Sequence, residues 1–270
     1  MKSAITISLV PEARGGPFVF WDDLAEGCER AAALGFDGVE IFPPAANSID
    51  LAELTGLLAR NKLQLAAMGT GAGWVVHKWS LTHSDPAVRA RARDFVCSIT
   101  DLAGGFGAPV ILGSIQGRWD GTVSRDQALG WFRESLQELG AYSAAHRQVL
   151  LYEPLNRYET NLFNRLGDAA AFLETLQTPN VKLLADLFHM NIEEHSIPEA
   201  LRTAAAHLGH VHFADSDRRA IGLGHIDAGQ VVAALREIGY QGYLSGEVLP
   251  LPDGQTAARQ TIESFRRYCS

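Results

Sequence analysis

The sequence is poor in cysteine and has no long apolar run. Three cysteines, Cys28, Cys97 and Cys269, stand far apart in 270 residues and show no CxxC spacing. That argues against a zinc ribbon and a redox pair, and so low a density fits a reducing compartment. No apolar stretch approaches the roughly 20 residues that span a bilayer. The opening MKSAITISLV has too short an apolar part for a signal peptide and no small-residue cleavage site, so a soluble cytoplasmic protein is expected. Basic residues are also the minority: 23 Lys+Arg against 31 Asp+Glu give a net charge of -8. Nucleic acid and anionic membrane are therefore poor candidates for the main partner. No low-complexity segment and no Pro/Gly/Ser linker divides the chain, which reads as one domain over 1–270.

What is present is a steady alternation of short apolar runs with longer amphipathic segments. The predicted strands are 4–10, 38–42, 64–70, 109–114, 149–155, 181–188, 210–216 and 243–249. The predicted helices are 22–34, 51–60, 86–105, 124–146, 167–176, 197–207, 228–238 and 255–268. Asp50, Asp85 before Pro86, and Ser196 ahead of Pro198 are helix start signals. Glycines in ALGFDGV and EIGYQGY are stop signals. Eight strands each followed by a helix predict an α/β fold, a single (β/α)8 TIM barrel. The rival doubly wound sheet usually has fewer strands, and the first βα turn, PEARGG, lacks a GxGxxG fingerprint. Two βα loops are long and carry aromatics, 69–85 and 114–123; in a barrel both lie on the C-terminal face, where binding sites form.

The stretch LLYEPLNRYETN poses a chemical question. An apolar strand runs straight into Glu153, and a charge there is costly without a partner. The next three strands carry Asp186, His212 and Glu247 at about the same height. Three carboxylates converging on one mouth repel one another unless a proton or a cation intervenes. A divalent ion shared by Glu153, Asp186, His212 and Glu247 resolves the conflict. Oxygen donors with one imidazole suit Mn²⁺, Mg²⁺ or Co²⁺. The plainer alternative is that each is an ordinary strand-end residue capping a helix or meeting solvent.

The blocks EPLNRYETN, DLFHMNIEE, HVHFADSDR and GHID, followed by GYQGYLSGEVLP, resemble the D-tagatose/D-psicose 3-epimerase family. That family belongs to the sugar isomerases and epimerases with xylose-isomerase-like barrels. The match runs through 149–250, and the first half shares the architecture. The resemblance implies that Glu153, Asp186, His212 and Glu247 bind one divalent metal, usually manganese. It implies that Glu153 and Glu247 are the acid/base pair inverting C3 of a free ketose through an enediolate. Glu159, His189 and Arg218 are implied to contact the sugar, and the chain to form a homo-oligomer, a dimer or tetramer. The first half departs from the best-known ketose 3-epimerases: loop 69–85 is longer and more aromatic, and GSIQGRW is typical of sugar isomerases of unassigned substrate. These loops grip the far end of the sugar, so the departures bear on the substrate.

Other residues carry open alternatives. Glu159 binds substrate or pairs with Arg157 or Arg165. His189 donates to a substrate oxygen or caps a helix. Arg218 binds sugar hydroxyls, orients a glutamate, or is solvated beside Asp215 and Asp217. Glu40, ending the second strand, reaches the mouth to bind substrate or supports a loop. Gln116 and Trp119 are candidate sugar contacts, the indole packing on a C–H face. Trp74, His77, Lys78 and Trp79 form a lid or bury against a neighbouring subunit. His210 shares a strand face with His212 and is the next candidate ligand. His225 lines the pocket or steadies its loop. Three rival functions stay open: an aldose–ketose isomerase acting on a pentose, a hexose or hydroxypyruvate, an apurinic endonuclease, and a sugar-binding protein without turnover. The endonuclease needs more histidine ligands and a basic face, against which the net charge speaks. A free sugar is favoured over a phosphorylated one, because no Gly-rich phosphate loop follows the seventh or eighth strand.

Overall fold

The computed structural model describes residues 1–269. Its parallel strands are β1 (Lys2–Ser8), β2 (Phe20–Trp21), β3 (Gly38–Phe42), β4 (Gln64–Gly69), β5 (Val110–Leu112), β6 (Leu150–Tyr152), β7 (Val181–Asp186), β8 (Leu208–His212) and β9 (Tyr243–Gly246). They lie in the order β2-β1-β3-β4-β5-β6-β7-β8-β9, and β9 pairs back onto β1. The eight long strands thus close into the expected (β/α)8 barrel. Strand β9 covers Lys2–Ile5 of β1, and the two-residue β2 takes over at Ile7 and Ser8. Because β2 completes that edge, β9 can stop at Gly246, and Glu247 leaves the ladder at the mouth.

The outer layer holds α1 (Leu24–Leu34), α2 (Leu51–Asn61), α4 (Pro86–Gly104), α5 (Arg125–Ala145), α6 (Leu166–Leu173), α8 (Ile197–Thr203), α9 (Ala228–Glu237) and α10 (Gly254–Cys269). The expected caps are in place: Asp50 accepts from the Glu53 N–H, Asp85 from Ala87 and Ser196 from Glu199. Gly35 ends α1 in the left-handed region that its missing Cβ permits, at φ 85°.

Two helices were not predicted. A single turn, α3 (Ala72–Val75), sits inside loop 69–85, and α7 (Leu187–Glu193) begins directly after β7. The predicted strand 181–188 is cut short because Asp186 accepts a hydrogen bond from the Phe188 N–H and caps α7. The predicted strand 149–155 is cut short at Tyr152. The Glu153 N–H still reaches the Leu112 carbonyl, at 3.1 Å, but Pro154 has no N–H to continue the ladder.

Strand pleating divides the core in two. Phe42, Ala67, Ile111, Leu151 and Leu184 form a cluster inside the barrel. Two residues further along the same faces of β6 and β7 come Glu153 and Asp186, so the apolar lumen gives way to carboxylates at the mouth. The alternate residues face the helices. Phe132 of α5 meets Tyr152 edge-on at 5.0 Å and stacks on Phe172 of α6 at 6.0 Å. No described helix is long and apolar enough to cross a membrane.

Phe132 is fully buried between two aromatic partners. Phe132→Ala is expected to lower stability by about 3–5 kcal/mol, read as a lower urea midpoint in circular dichroism.

Candidate metal centre

Strands β6 to β9 deliver Glu153, Asp186, His212 and Glu247, each buried, with one ligand atom apiece inside a 4.8 Å limit. His212 Nδ1 lies 3.6 Å from Glu153 Oε1 and 3.5 Å from both Asp186 Oδ2 and Glu247 Oε2. Donors held about 2.1 Å from a common centre would be separated by roughly this distance. Glu153 Oε1 and His212 Nδ1 are buried without a hydrogen-bond partner. Buried polar atoms are rarely left so, and two in one cluster suit a site that holds a cation. The donor set, three carboxylates and one imidazole, fits a divalent cation.

The orientation of His212 is set from behind. Its Nε2 lies 2.9 Å from Glu40 Oε1, and His210 Nε2 lies 2.8 Å from Glu40 Oε2. An ionised carboxylate only accepts, so both imidazoles present Nε2–H to it. That leaves the Nδ1 of His212 to the cluster. Burial alone would raise the Glu40 pKa. The charge on His212 and the hydrogen bonds from both histidines outweigh it and hold the group well below the usual carboxylate range.

Burial works against charge on His212, but the charges on Glu40 and Glu247, with the Asp186 and Glu153 carboxylates close by, raise its pKa well above normal. Burial raises Glu153 against the pull of His212, and the charge on Glu247 adds to the rise. Asp186 and Glu247 are shifted down despite burial, Asp186 chiefly by His189 and Arg218, Glu247 chiefly by His212 and Arg218.

Three of the predicted substrate contacts lie at the rim of this cluster. Arg218 bonds Glu247 through Nη2, approaches Asp186 Oδ2 at 3.3 Å, and sits over the Phe188 ring at 4.7 Å. It is therefore not the solvated arginine of the plainer reading. His189 lies in α7, with Nδ1 2.7 Å from the Asn156 side-chain amide and Nε2 3.7 Å from Asp186 and 3.8 Å from Glu153. The Asn156 N–H also donates to Nδ1, at 3.3 Å, so Nε2 carries the proton on the cavity side. Glu159 accepts from Asn156 Nδ2 at 3.0 Å. It pairs with neither Arg157, which bonds Glu193, nor Arg165, which bonds the Glu193 carbonyl. Asn156 was not singled out from sequence, although it stands three residues past Glu153.

A cavity of about 710 Å³ opens above the cluster, and Glu153, Glu247, His189, Glu159 and Arg218 line it. The candidates from the first half sit behind its wall. Glu40 is fully buried and occupied by its two histidines. Gln116 is fully buried as well, with Nε2 donating to the Gly113 and Glu153 carbonyls. Trp119 ties its backbone and indole N–H groups to Asn161. His210 serves Glu40, and His225 bonds Ser216 in an exposed loop. Of the predicted lid, Trp74 lines the cavity, while Trp79 packs on the core with His77 stacked on it at 4.1 Å. Gly113 was overlooked: a Cβ there would lie 2.7 Å from Glu153 Oε2, so only glycine leaves that carboxylate its place.

The profile of the family described as xylose isomerase-like TIM barrel matches residues 28–268. An L-ribulose 3-epimerase of Methylomonas sp. (strain DH-1) is 32% identical over 243 residues, covering 86% of this chain and 83% of its own. A D-psicose 3-epimerase of Ruminiclostridium cellulolyticum is 32% identical over 237 residues, covering 83% of this chain and 80% of its own. The crystal structure of D-allulose 3-epimerase from Methylomonas sp. with D-allulose superposes at a TM-score of 0.82 and 26% identity, over 99% of this chain and 98% of that one.

Two outcomes follow for metal binding. Glu40→Gln puts an amide opposite two N–H donors, and is expected to weaken Mn²⁺ binding about 10–100-fold by calorimetry. Because a raised His212 pKa favours the protonated imidazole, affinity should fall as pH falls, and binding should release protons, read as an observed enthalpy that changes linearly with the buffer's ionisation enthalpy.

Proposed function

The chain belongs to the xylose isomerase-like TIM barrel family and, within it, to the ketose 3-epimerases; from that premise we propose that it inverts C3 of a free ketose through an enediolate, with Glu153 and Glu247 as the acid/base pair. One observation carries the assignment of roles: of the four clustered side chains, Glu153 and Glu247 line the cavity. Asp186 and His212 stand behind them.

In this reading one glutamate removes the C3 proton and the other returns a proton to the opposite face, and the roles exchange with reaction direction. Glu153, Asp186, His212 and Glu247 hold the ion, proposed to be manganese, with magnesium or cobalt also suited to the donors. When bound, the ion supplies positive charge that stabilises the negative charge developing on substrate oxygens. His189 presents Nε2–H to a substrate oxygen, with Asn156 fixing its tautomer. Arg218 keeps Glu247 in place and ionised. Glu159 accepts a sugar hydroxyl at the rim. Glu40, Gln116 and Trp119 support the site from behind its wall instead of touching the sugar.

We read the whole chain as one domain, since its first and last barrel strands pair. The same reading makes it a cytoplasmic homo-oligomer, a dimer or tetramer. An endonuclease would call for further ligands. Among the described residues the other potential cluster, Glu40–His210–His212, shares His212 and is closed by its own hydrogen bonds.

The test is incubation of the metal-loaded protein with free ketohexoses and ketopentoses in D₂O. The expected products are C3 epimers carrying deuterium at C3. Aldose products would replace this reading with the isomerase, and binding without turnover with a sugar-binding protein. Glu153→Gln and Glu247→Gln should each lower kcat by about 10²–10⁴-fold.

A further inference from the structure

The cavity is larger than the sugar it is proposed to hold. Its volume is about 710 Å³. At roughly 30 Å³ per non-hydrogen atom, the share of one molecule in liquid water, the twelve such atoms of a ketohexose fill about 360 Å³. That is generous to the sugar and still leaves about half the space. The twenty-three atoms of a disaccharide come to about 690 Å³ on the same scale.

The unfilled half has its own character. All four clustered ligands come from β6 to β9. Most of the rest of the wall comes from the loops after β1, β4, β5 and β6, where Asp120 and Glu159 are the carboxylates among the described residues besides Glu153. Three aromatic rings are spaced around the mouth: Phe18 after β1, Trp74 after β4 and Tyr158 after β6. Phe18 rests on Phe42 of the barrel floor at 4.5 Å. Trp74 is 36% exposed and Tyr158 76% exposed, and they are the two aromatic members of the exposed large hydrophobic residues. Both lie on this cavity. Exposed aromatic faces beside a polar site suit the C–H face of a sugar ring.

This half is also preformed. The Leu81 N–H donates to the Ile115 carbonyl, and Thr82 Oγ1 donates to the carbonyls of Gln116 and Arg118. Thr160 Oγ1 reaches the Gly117 carbonyl, and Trp119 is doubly bonded to Asn161. The loops after β4, β5 and β6 are thereby stitched together around the space, as expected of a pocket built for a ligand.

We infer that the natural substrate is a keto sugar carrying a second ring at the end remote from its reacting carbons, and that Phe18, Trp74 and Tyr158 form the outer subsite that receives this ring. The inference rests on the ketose epimerase reading for the inner half of the site.

The experiment compares D-fructose with isomaltulose, a ketose bearing a glucosyl group on O6, using the metal-loaded full chain. Isomaltulose is expected to show a KM at least about tenfold below that of fructose. Trp74→Ala and Tyr158→Ala should each narrow the ratio of the two KM values by about 2–10-fold, the range of one lost stacking contact. Equal KM values, or variants that leave the ratio unaltered, would overturn the inference. A change in oligomeric state by light scattering with no change in that ratio would also overturn it, placing the rings at a subunit contact. Should neither sugar turn over, calorimetric titration separates the two claims. Tighter binding of isomaltulose that depends on Trp74 would uphold the outer subsite while the epimerase reading fails, and equal binding would remove the outer subsite.

Discussion

Like charge on Glu153, Asp186 and Glu247, gathered with His212 inside 4.8 Å, is what the rest of the barrel mouth is arranged to contain. Three carboxylates at that spacing cannot all stay ionised in a buried place without positive charge beside them. Arg218 enters from the loop after β8 and contacts two of them. Its own burial is made tolerable by those contacts and by the Phe188 ring beneath it. His212 sits at the centre, its pKa held well above normal by the carboxylates around it. Glu40 balances it from the other side. A dication among these donors would supply the positive charge that the three carboxylates call for.

The strands and the cluster at the mouth were legible because apolar runs mark barrel strands, and polar residues at their carboxyl ends converge on one mouth. A strand that must bury one face announces its inward residues, and the residue two past the last apolar one marks the mouth. In the structure Leu151 and Leu184 face the lumen two residues before Glu153 and Asp186. What alternation cannot give is a bond across the lumen. Glu40 and the histidines lie 170 and 172 residues apart, on strands that are not neighbours. Parity predicts that Glu40 faces inward, but not that it stops below the mouth. It is fully buried and bonds His210, two residues before His212 on β8, as well as His212 itself. The loop residues were obscure for another reason. The side-chain targets of Gln116 and Trp119 include carbonyls of other loops, and every residue supplies a carbonyl, so no sequence signal marks them.

The mouth divides by strand. The second half of the barrel supplies every clustered ligand, and it is also where the sequence blocks matching the ketose epimerases lie. The first half supplies walls, stitched loops and aromatic rings. Such a division lets chemistry and recognition change independently. Replacing a loop after β4 or β5 reshapes the space without touching a ligand, which is why this barrel architecture hosts many substrates on one reaction centre.

The second donor atom of each clustered side chain divides the four in two, along the line between the proposed holders and the proposed proton carriers. Asp186 gives Oδ2 to the cluster and Oδ1 to the Phe188 N–H, so both oxygens are committed. His212 gives Nδ1 to the cluster and Nε2 to Glu40. Neither has an atom left for a substrate. Glu153 gives Oε1 to the cluster, and among the described residues its Oε2 has no hydrogen bond, beside the opening that Gly113 leaves. Glu247 gives Oε2 to the cluster and to Arg218, and its Oε1 is likewise uncommitted among the described residues. The two side chains with a free oxygen are the two that line the cavity. A group that must hold a cation and still exchange a proton needs two working oxygens, and only these glutamates keep one in reserve.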